Sequence, residues 1–223
     1  MNEIIYPTSR ITNIVISSKI SKEFDLNKMV LEHDQSFCRI DYDPHSFPGA
    51  IMKLNTTPKG TALLFNSGKL VIAGAKNDDE INNGIQEIKE LYLSKNIQII
   101  ENIKIQINNI VGAGDLGYNL SLNKIANKLD IVEYDPEVFP GLVTRLNYPK
   151  VAILLFGTGK LVVAGAKTKK DIHVSVEKID LRIKEIMKER RNRIYKKVIF
   201  MIWQIIIISY ICLLLLINMW LNG

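Results

Sequence analysis

The chain has 223 residues, 47% of them hydrophobic, with 29 Lys+Arg against 23 Asp+Glu and a formal charge of +6. That length suits one sizeable domain or two small ones, and two cysteines, Cys38 and Cys212, exclude a disulfide framework. The +6 does not mark the whole chain as basic: residues 1–180 carry 21 basic and 21 acidic side chains, and the excess lies in 181–197, with eight basic and two acidic.

Residues 1–9 lack the charged start and apolar core of a signal peptide and are taken as a short extension. After them one pattern occurs twice, over 10–100 and 101–183. In the first copy the predicted elements are a strand at 11–19, a helical turn or two at 25–33, strands at 37–42, 50–54, 61–65 and 69–75, and an amphipathic helix at 78–94. The second copy gives a strand at 104–111, a short helix at 122–128, strands at 131–134, 142–146, 151–156 and 160–166, and a helix from 170. Asn66-Ser67-Gly68 and Gly157-Thr158-Gly159 supply the turn chemistry of tight hairpins. Ile81, Ile85, Ile88 and Leu91 form the apolar stripe of the first long helix; Ile172, Val176, Ile179 and Ile183 form that of the second.

The duplication is clearest in FNSGKLVIAGAK at 65–76 and FGTGKLVVAGAK at 156–167, identical at nine of twelve positions and offset by 91 residues. Repeats of about 90 residues point to a pseudo-twofold domain, since solenoid repeats run roughly 20–50. The strands are apolar on both faces: Leu63 and Phe65 oppose Ala62 and Leu64, and Val71 and Ala73 oppose Leu70 and Ile72. Two helices cover only one face of a sheet of about ten strands, so the other is an apolar interaction surface. Lys53, Lys69, Lys76, Arg145, Lys160 and Lys167 rim it. An apolar floor with a basic rim suits a DNA minor groove, where sugars offer apolar surface and phosphates flank both sides.

Residues 198–221 carry no charge and are long enough to cross the ~30 Å hydrocarbon layer as a helix. The basic stretch 184–197 precedes them, so the positive-inside bias places the N-terminal domain in the cytoplasm. The expectation is a tail-anchored, single-pass membrane protein whose lipid contact is 198–221, with 184–197 a juxtamembrane helix able to hold anionic headgroups. Gly112-Ala113-Gly114-Asp115-Leu116-Gly117 fits a dinucleotide-binding pattern, but the helix starts several residues late and a further strand, not a crossover helix, follows Asp135. No metal or catalytic cluster is expected, no cofactor, and no enzymatic activity.

Asp43-Pro44-His45-Ser46-Phe47-Pro48-Gly49 matches Asp135-Pro136-Glu137-Val138-Phe139-Pro140-Gly141, and Thr12-Asn13-Ile14-Val15 matches Asn108-Asn109-Ile110-Val111. With the paired hairpins, these motifs make residues 10 to about 185 resemble the TATA-box-binding protein family, in an archaeal-type form. The resemblance implies an α+β saddle, a curved antiparallel sheet with helices on its convex face. By position Phe47, Phe65, Phe139 and Phe156 would be DNA-intercalating wedges. Asn13 and Asn109 would hydrogen-bond the groove, with Val15, Val111, Leu63, Leu154, Val71, Val162, Ala73 and Ala164 packing on bases and sugars. The six basic rim residues would meet phosphates, and Glu137 would contact a transcription factor B-type partner. The implied function is bending of A·T-rich, TATA-like promoter DNA to nucleate initiation, here tethered to a membrane. The alternative is a membrane-anchored regulator, DNA tether or interaction module that keeps the fold without general initiation activity. One departure stands out: the family usually has Thr before Gly-Ala-Lys, whereas this chain has Ala73 and Ala164.

Overall fold

The computed structural model describes residues 6–31, 38–56 and 60–221; within the C-terminal helix, side chains are described for 169–189 and 194–203. The chain divides into two compact units, residues 1–178 and 179–223.

The first unit holds ten strands and the helices between them. In chain order these are β1 (Thr8–Lys19), α1 (Leu26–Leu31), β2 (Ile40–Asp41), β3 (Gly49–Lys53), β4 (Thr61–Phe65), β5 (Lys69–Ala75), α2 (Asp78–Ser94), β6 (Gln106–Asp115), α3 (Leu122–Ala126), β7 (Val132–Glu133), β8 (Leu142–Leu146), β9 (Val151–Leu155) and β10 (Lys160–Ala166), followed by the start of α4 (Lys169–Leu221). The strands form one antiparallel sheet in the order β2-β3-β4-β5-β1-β6-β10-β9-β8-β7. That order reads as a palindrome of the two repeats, with the pseudo-dyad between β1 and β6.

Five strands lie on either side of that dyad, and β4, β5, β8, β10 and α2 have the expected bounds. The strands expected at 37–42 and 131–134 shrink to two residues each, Ile40–Asp41 and Val132–Glu133. These are the outermost strands, pairing on one side only, and short edges present little unpaired backbone. Residues 32–37, which take in the end of the predicted helix at 25–33 and the start of the first of these strands, lie outside the described residues.

One face of the sheet carries the core. Ile14, Ile16, Ala62, Leu64, Leu70 and Ile72 are buried, as are Ile110, Ile153, Leu155, Leu161 and Val163 in the second copy, together with the Ile81, Ile85 and Ile88 stripe of α2. The glycines of the dinucleotide-like pattern have a packing role here. A Cβ on Gly112 would stand 2.4 Å from Ile172 Cγ2, and one on Gly114 3.0 Å from Val176 Cγ2, so the missing side chains let α4 lie close on β6. Both long helices open on a reciprocal cap: Asn77 accepts from Glu80 N while Glu80 accepts from Lys76 N, and Thr168 and Asp171 repeat the arrangement.

The second unit is the remainder of α4, one continuous helix to Leu221. Here the membrane expectation is corrected. Among the described residues no helix is long and apolar enough to cross a membrane. The described side chains of α4 run through a densely charged stretch up to Lys197, and apolar residues dominate only at 198–203. The remainder of the predicted span, 204–221, lies outside the described side chains. The single-pass localisation, the cytoplasmic orientation drawn from it and the lipid contacts of 184–197 and 198–221 fall with the span.

Candidate nucleic-acid interface

The face opposite the helices is built from alternate residues of the same strands. Asn13, Val15, Leu63, Phe65, Val71 and Ala73 are half-buried in the first copy, as are Asn109, Val111, Leu154, Phe156, Val162 and Ala164 in the second. Strand pairing gathers them. Val15 lies opposite Asn109 and Asn13 opposite Val111 across the pseudo-dyad; Val15 also faces Ala73, and Val111 faces Ala164. Further out, Leu63 pairs with Val71 and Leu154 with Val162. Every residue expected to pack on bases lies on this one face.

Ile51 and Val143 extend the apolar floor, opposite Leu63 and Leu154. Sequence reasoning passed over both. Their signal was available, since each sits two residues before a rim cation, Lys53 or Arg145, on the same side of its strand.

The four phenylalanines form two pairs. Phe47 meets Phe65 edge-on with ring centroids 5.9 Å apart, and Phe139 meets Phe156 in the same way at 6.1 Å. Such a T-shaped pair contributes about 0.5–1.5 kcal/mol beyond burial. The Gly of each F-P-G loop is a spatial requirement. A Cβ on Gly49 would lie 2.8 Å from the Phe65 ring and 2.9 Å from that of Phe47, and one on Gly141 would lie 2.5 Å from Phe139. The loops are braced below by Asx turns: Asp43 Oδ1 accepts from His45 N, and Asp135 Oδ1 from Glu137 N. Phe139 is 43% exposed despite its partner, and Val138 beside it is 82% exposed. Glu137 is exposed at the same loop tip.

At the centre the two asparagines are held in one orientation. Gly74 (φ +107°) and Gly165 (φ +99°) are each the extra residue in a bulge beside β1 or β6. Left-handed backbone at these points turns each glycine N–H out of the sheet ladder. Asn13 Oδ1 accepts that of Gly74 at 2.7 Å, and Asn109 Oδ1 that of Gly165 at 3.0 Å. With its oxygen committed, each amide leaves Nδ2 as the group it can offer outward.

Lys53, Lys69, Lys76, Arg145, Lys160 and Lys167 are all exposed. Lys53 Nζ donates to Thr61 Oγ1 at 3.1 Å, and Lys167 Nζ to the Asn108 carbonyl at 2.6 Å. Lys167 is thus drawn in toward β6, while Lys69, Lys76 and Lys160 lie at the ends of β5 and β10. Among the described residues no group of three His, Cys, Asp or Glu side chains could hold a metal.

The family model of "Transcription factor TFIID (or TATA-binding protein, TBP)" matches residues 8–92 and 104–200. The chain belongs to the TATA-binding protein family. It is 41% identical over 181 residues to the TATA-box-binding protein of Natronomonas pharaonis, covering 80% of this chain and 94% of that one. It is 39% identical over 188 residues to the TATA-box-binding protein of Methanocaldococcus jannaschii, covering 83% and 99%. The solved structure of Methanococcus jannaschii TBP superposes with a TM-score of 0.72 at 39% identity, over 79% of this chain and 98% of that one. This TATA-binding protein family member therefore has the archaeal-type α+β saddle, with its ten-stranded antiparallel sheet and helices.

Proposed function

We propose that the face formed by β1, β3–β6 and β8–β10 binds the minor groove of A·T-rich, TATA-like DNA, bends it, and so nucleates transcription initiation. The observation that carries this reading is the pair of asparagine amides held by Gly74 and Gly165 at the centre of an otherwise apolar strip. A·T pairs show only acceptors in the minor groove, and outward Nδ2 groups are the matching donors. The strip supplies apolar contact to sugars, the rim cations supply phosphate contacts, and the two phenylalanine pairs enter base steps at either end. Unstacking costs a few kcal/mol per step and is offset by the extra surface that a bent duplex presents. Glu137, exposed at the second loop tip, is assigned to a transcription factor B-type partner by resemblance to the family.

The test is binding of a doubly dye-labelled A·T-rich duplex at rising salt. Bending brings the dyes together, and six phosphate contacts give a slope of log affinity against log salt of about −5. An unbent duplex, or affinity indifferent to salt, would overturn the proposal.

A further inference from the structure

Lys167 is counted with the rim cations, yet its ammonium also reaches inward. The ladder between β10 and β6 ends where Ala166 lies opposite Ile110. Lys167 follows one residue beyond that rung, and its side chain carries the cross-strand contact further: Nζ donates to the Asn108 carbonyl at 2.6 Å. Asn108 is the extra residue of a bulge, since Val15 lies opposite Asn109 and Ile16 opposite Ile107. A bulge leaves its extra residue outside the ladder and re-aims the side chains beside it. Here a charged donor holds the freed carbonyl, in the short and stronger class of hydrogen bond. Ser17 holds the same residue by its side chain, with Oγ donating to Asn108 Oδ1 at 3.3 Å.

Asn109, the next residue, carries one of the two central amides, and Gly165 N donates to its Oδ1 at 3.0 Å. Two bonds from the short segment 165–167 therefore bracket Asn108 and Asn109. One fixes the amide oxygen, and the other fixes the bulge that sets where the amide points. The first copy is held by different means. Its bulge falls at Thr12, whose own Oγ1 donates to the Val111 carbonyl at 3.1 Å, beside Asn13 on Gly74 N. Lys76 stands at the place matching Lys167, 91 residues earlier. Among the described residues no hydrogen bond joins Lys76 to Thr12.

We infer that Lys167 is a positioning residue for Asn109, and through it a determinant of A·T selectivity, whereas Lys76 contributes its charge alone. An ammonium has three donors, so the bond to Asn108 leaves two for phosphate. The inference rests on the minor-groove reading proposed above.

The experiment compares the full chain with its Lys167→Met and Lys76→Met variants on two duplexes, one all A·T and one with a central G·C pair. Each variant loses one phosphate contact, so the slope of log affinity against log salt should flatten by about 0.9 in both. Lys76→Met should weaken the two duplexes alike. Lys167→Met should in addition cut the preference for the all-A·T duplex by about threefold, because a loosened Asn109 no longer holds Nδ2 toward the groove acceptors. Lys167→Arg keeps the charge and the donors and should restore most of that preference. A second readout needs no DNA: the Asn109 side-chain amide signals in nuclear magnetic resonance should shift in Lys167→Met and hold their place in Lys76→Met. Unmoved Asn109 signals, or equal preference in the two methionine variants with wild type selective, would overturn this inference alone. Wild type binding without salt dependence or A·T preference would overturn the minor-groove reading and this inference with it.

Discussion

Glu87 of α2 and Lys178 of α4 stand 91 residues apart at the same place in the two repeats, and each holds the neighbouring strand-connecting turn with opposite chemistry. The buried Glu87 carboxylate accepts Asn55 N at 2.9 Å, Thr56 N at 2.9 Å and Thr56 Oγ1 at 2.7 Å. Lys178 Nζ donates to the Tyr148 carbonyl at 2.7 Å and lies 5.0 Å from the Tyr148 ring centroid. One turn exposes N–H groups to its helix and the other a carbonyl, and the helix charge follows. Glu87→Ala strands several donors and should cost about 2–4 kcal/mol in urea unfolding. Glu87→Gln, which keeps an acceptor, should cost about 1 kcal/mol. The exposed Lys178→Ala should cost less than about 1 kcal/mol. Equal losses for the two alanine variants would contradict the assignment.

The cap of α4 gives a pH dependence. Some burial pushes the Asp171 pKa up, but the hydrogen bonds with Thr168 and from the Lys167 N–H outweigh it and hold the carboxyl below its ordinary value. A carboxylate with a depressed folded pKa contributes stability that is complete above its unfolded pKa of about 3.9 and is lost as pH falls through the folded value. Thermal unfolding of wild type between pH 6 and pH 3 should therefore fall further than that of Asp171→Asn. The cap itself is worth about 1 kcal/mol. Parallel curves for the two proteins would exclude this role.

Phe139→Ala should separate binding from bending. Its ring is 43% exposed and meets Phe156 edge-on, so its removal takes little from the core. Without it one base step loses its wedge. The expected result is a bend reduced by roughly half, an affinity loss on the order of tenfold, and a nearly unchanged unfolding midpoint. Phe139→Ala with Phe47→Ala should remove both kinks, read as the loss of energy transfer between dyes at the duplex ends. Full bending by the double variant would show that these rings are not the wedges.

Much of this surface was legible in the chain because it is duplicated: the paired F-P-G loops and Gly-Lys-Leu-Val hairpins located Phe47, Phe65, Val71 and their counterparts without any alignment. Period-two alternation then separated Leu63 from Leu64 and Val162 from Val163. The bulge at Thr12 escaped for a physical reason. It inverts the alternation, and nothing in Arg10-Ile11-Thr12-Asn13 marks where the extra residue falls. The asparagine orientation was hidden for the same cause, since it depends on glycine N–H groups that only the bulges of β5 and β10 release. The membrane expectation failed differently: it rests on hydropathy over 198–221, and among the described residues no helix is long and apolar enough to cross a membrane.

Asn13→Asp tests the polarity of the central amide. The carboxylate keeps an acceptor for Gly74 N but replaces the outward Nδ2 donor with a second oxygen. Facing N3 and O2 acceptors and the phosphates beyond them, it should weaken binding to an A·T-rich duplex by about tenfold or more. Asn13→Ala loses the donor without adding charge and should fall between the two. If Asn13→Asp bound as well as wild type, the donor would not be facing the groove.

Ala73 and Ala164 are the last point at which selectivity can be tuned. They lie opposite Val15 and Val111, one residue before the bulge glycines, so their Cβ atoms share the strip with the two asparagines. On the proposed binding mode a methyl there would contact sugar and base edges without distinguishing A·T from G·C, which would leave discrimination to the asparagines and to duplex deformability. Thr is favoured in strands, and its hydroxyl at both positions would add a groove-facing donor beside each amide. Ala73→Thr with Ala164→Thr should leave the unfolding free energy within about 0.5 kcal/mol and raise the preference for an all-A·T site over one with a central G·C pair by roughly three- to tenfold. Competition binding of the two duplexes measures this directly; an unchanged ratio would mean that the central steps are read by deformability alone.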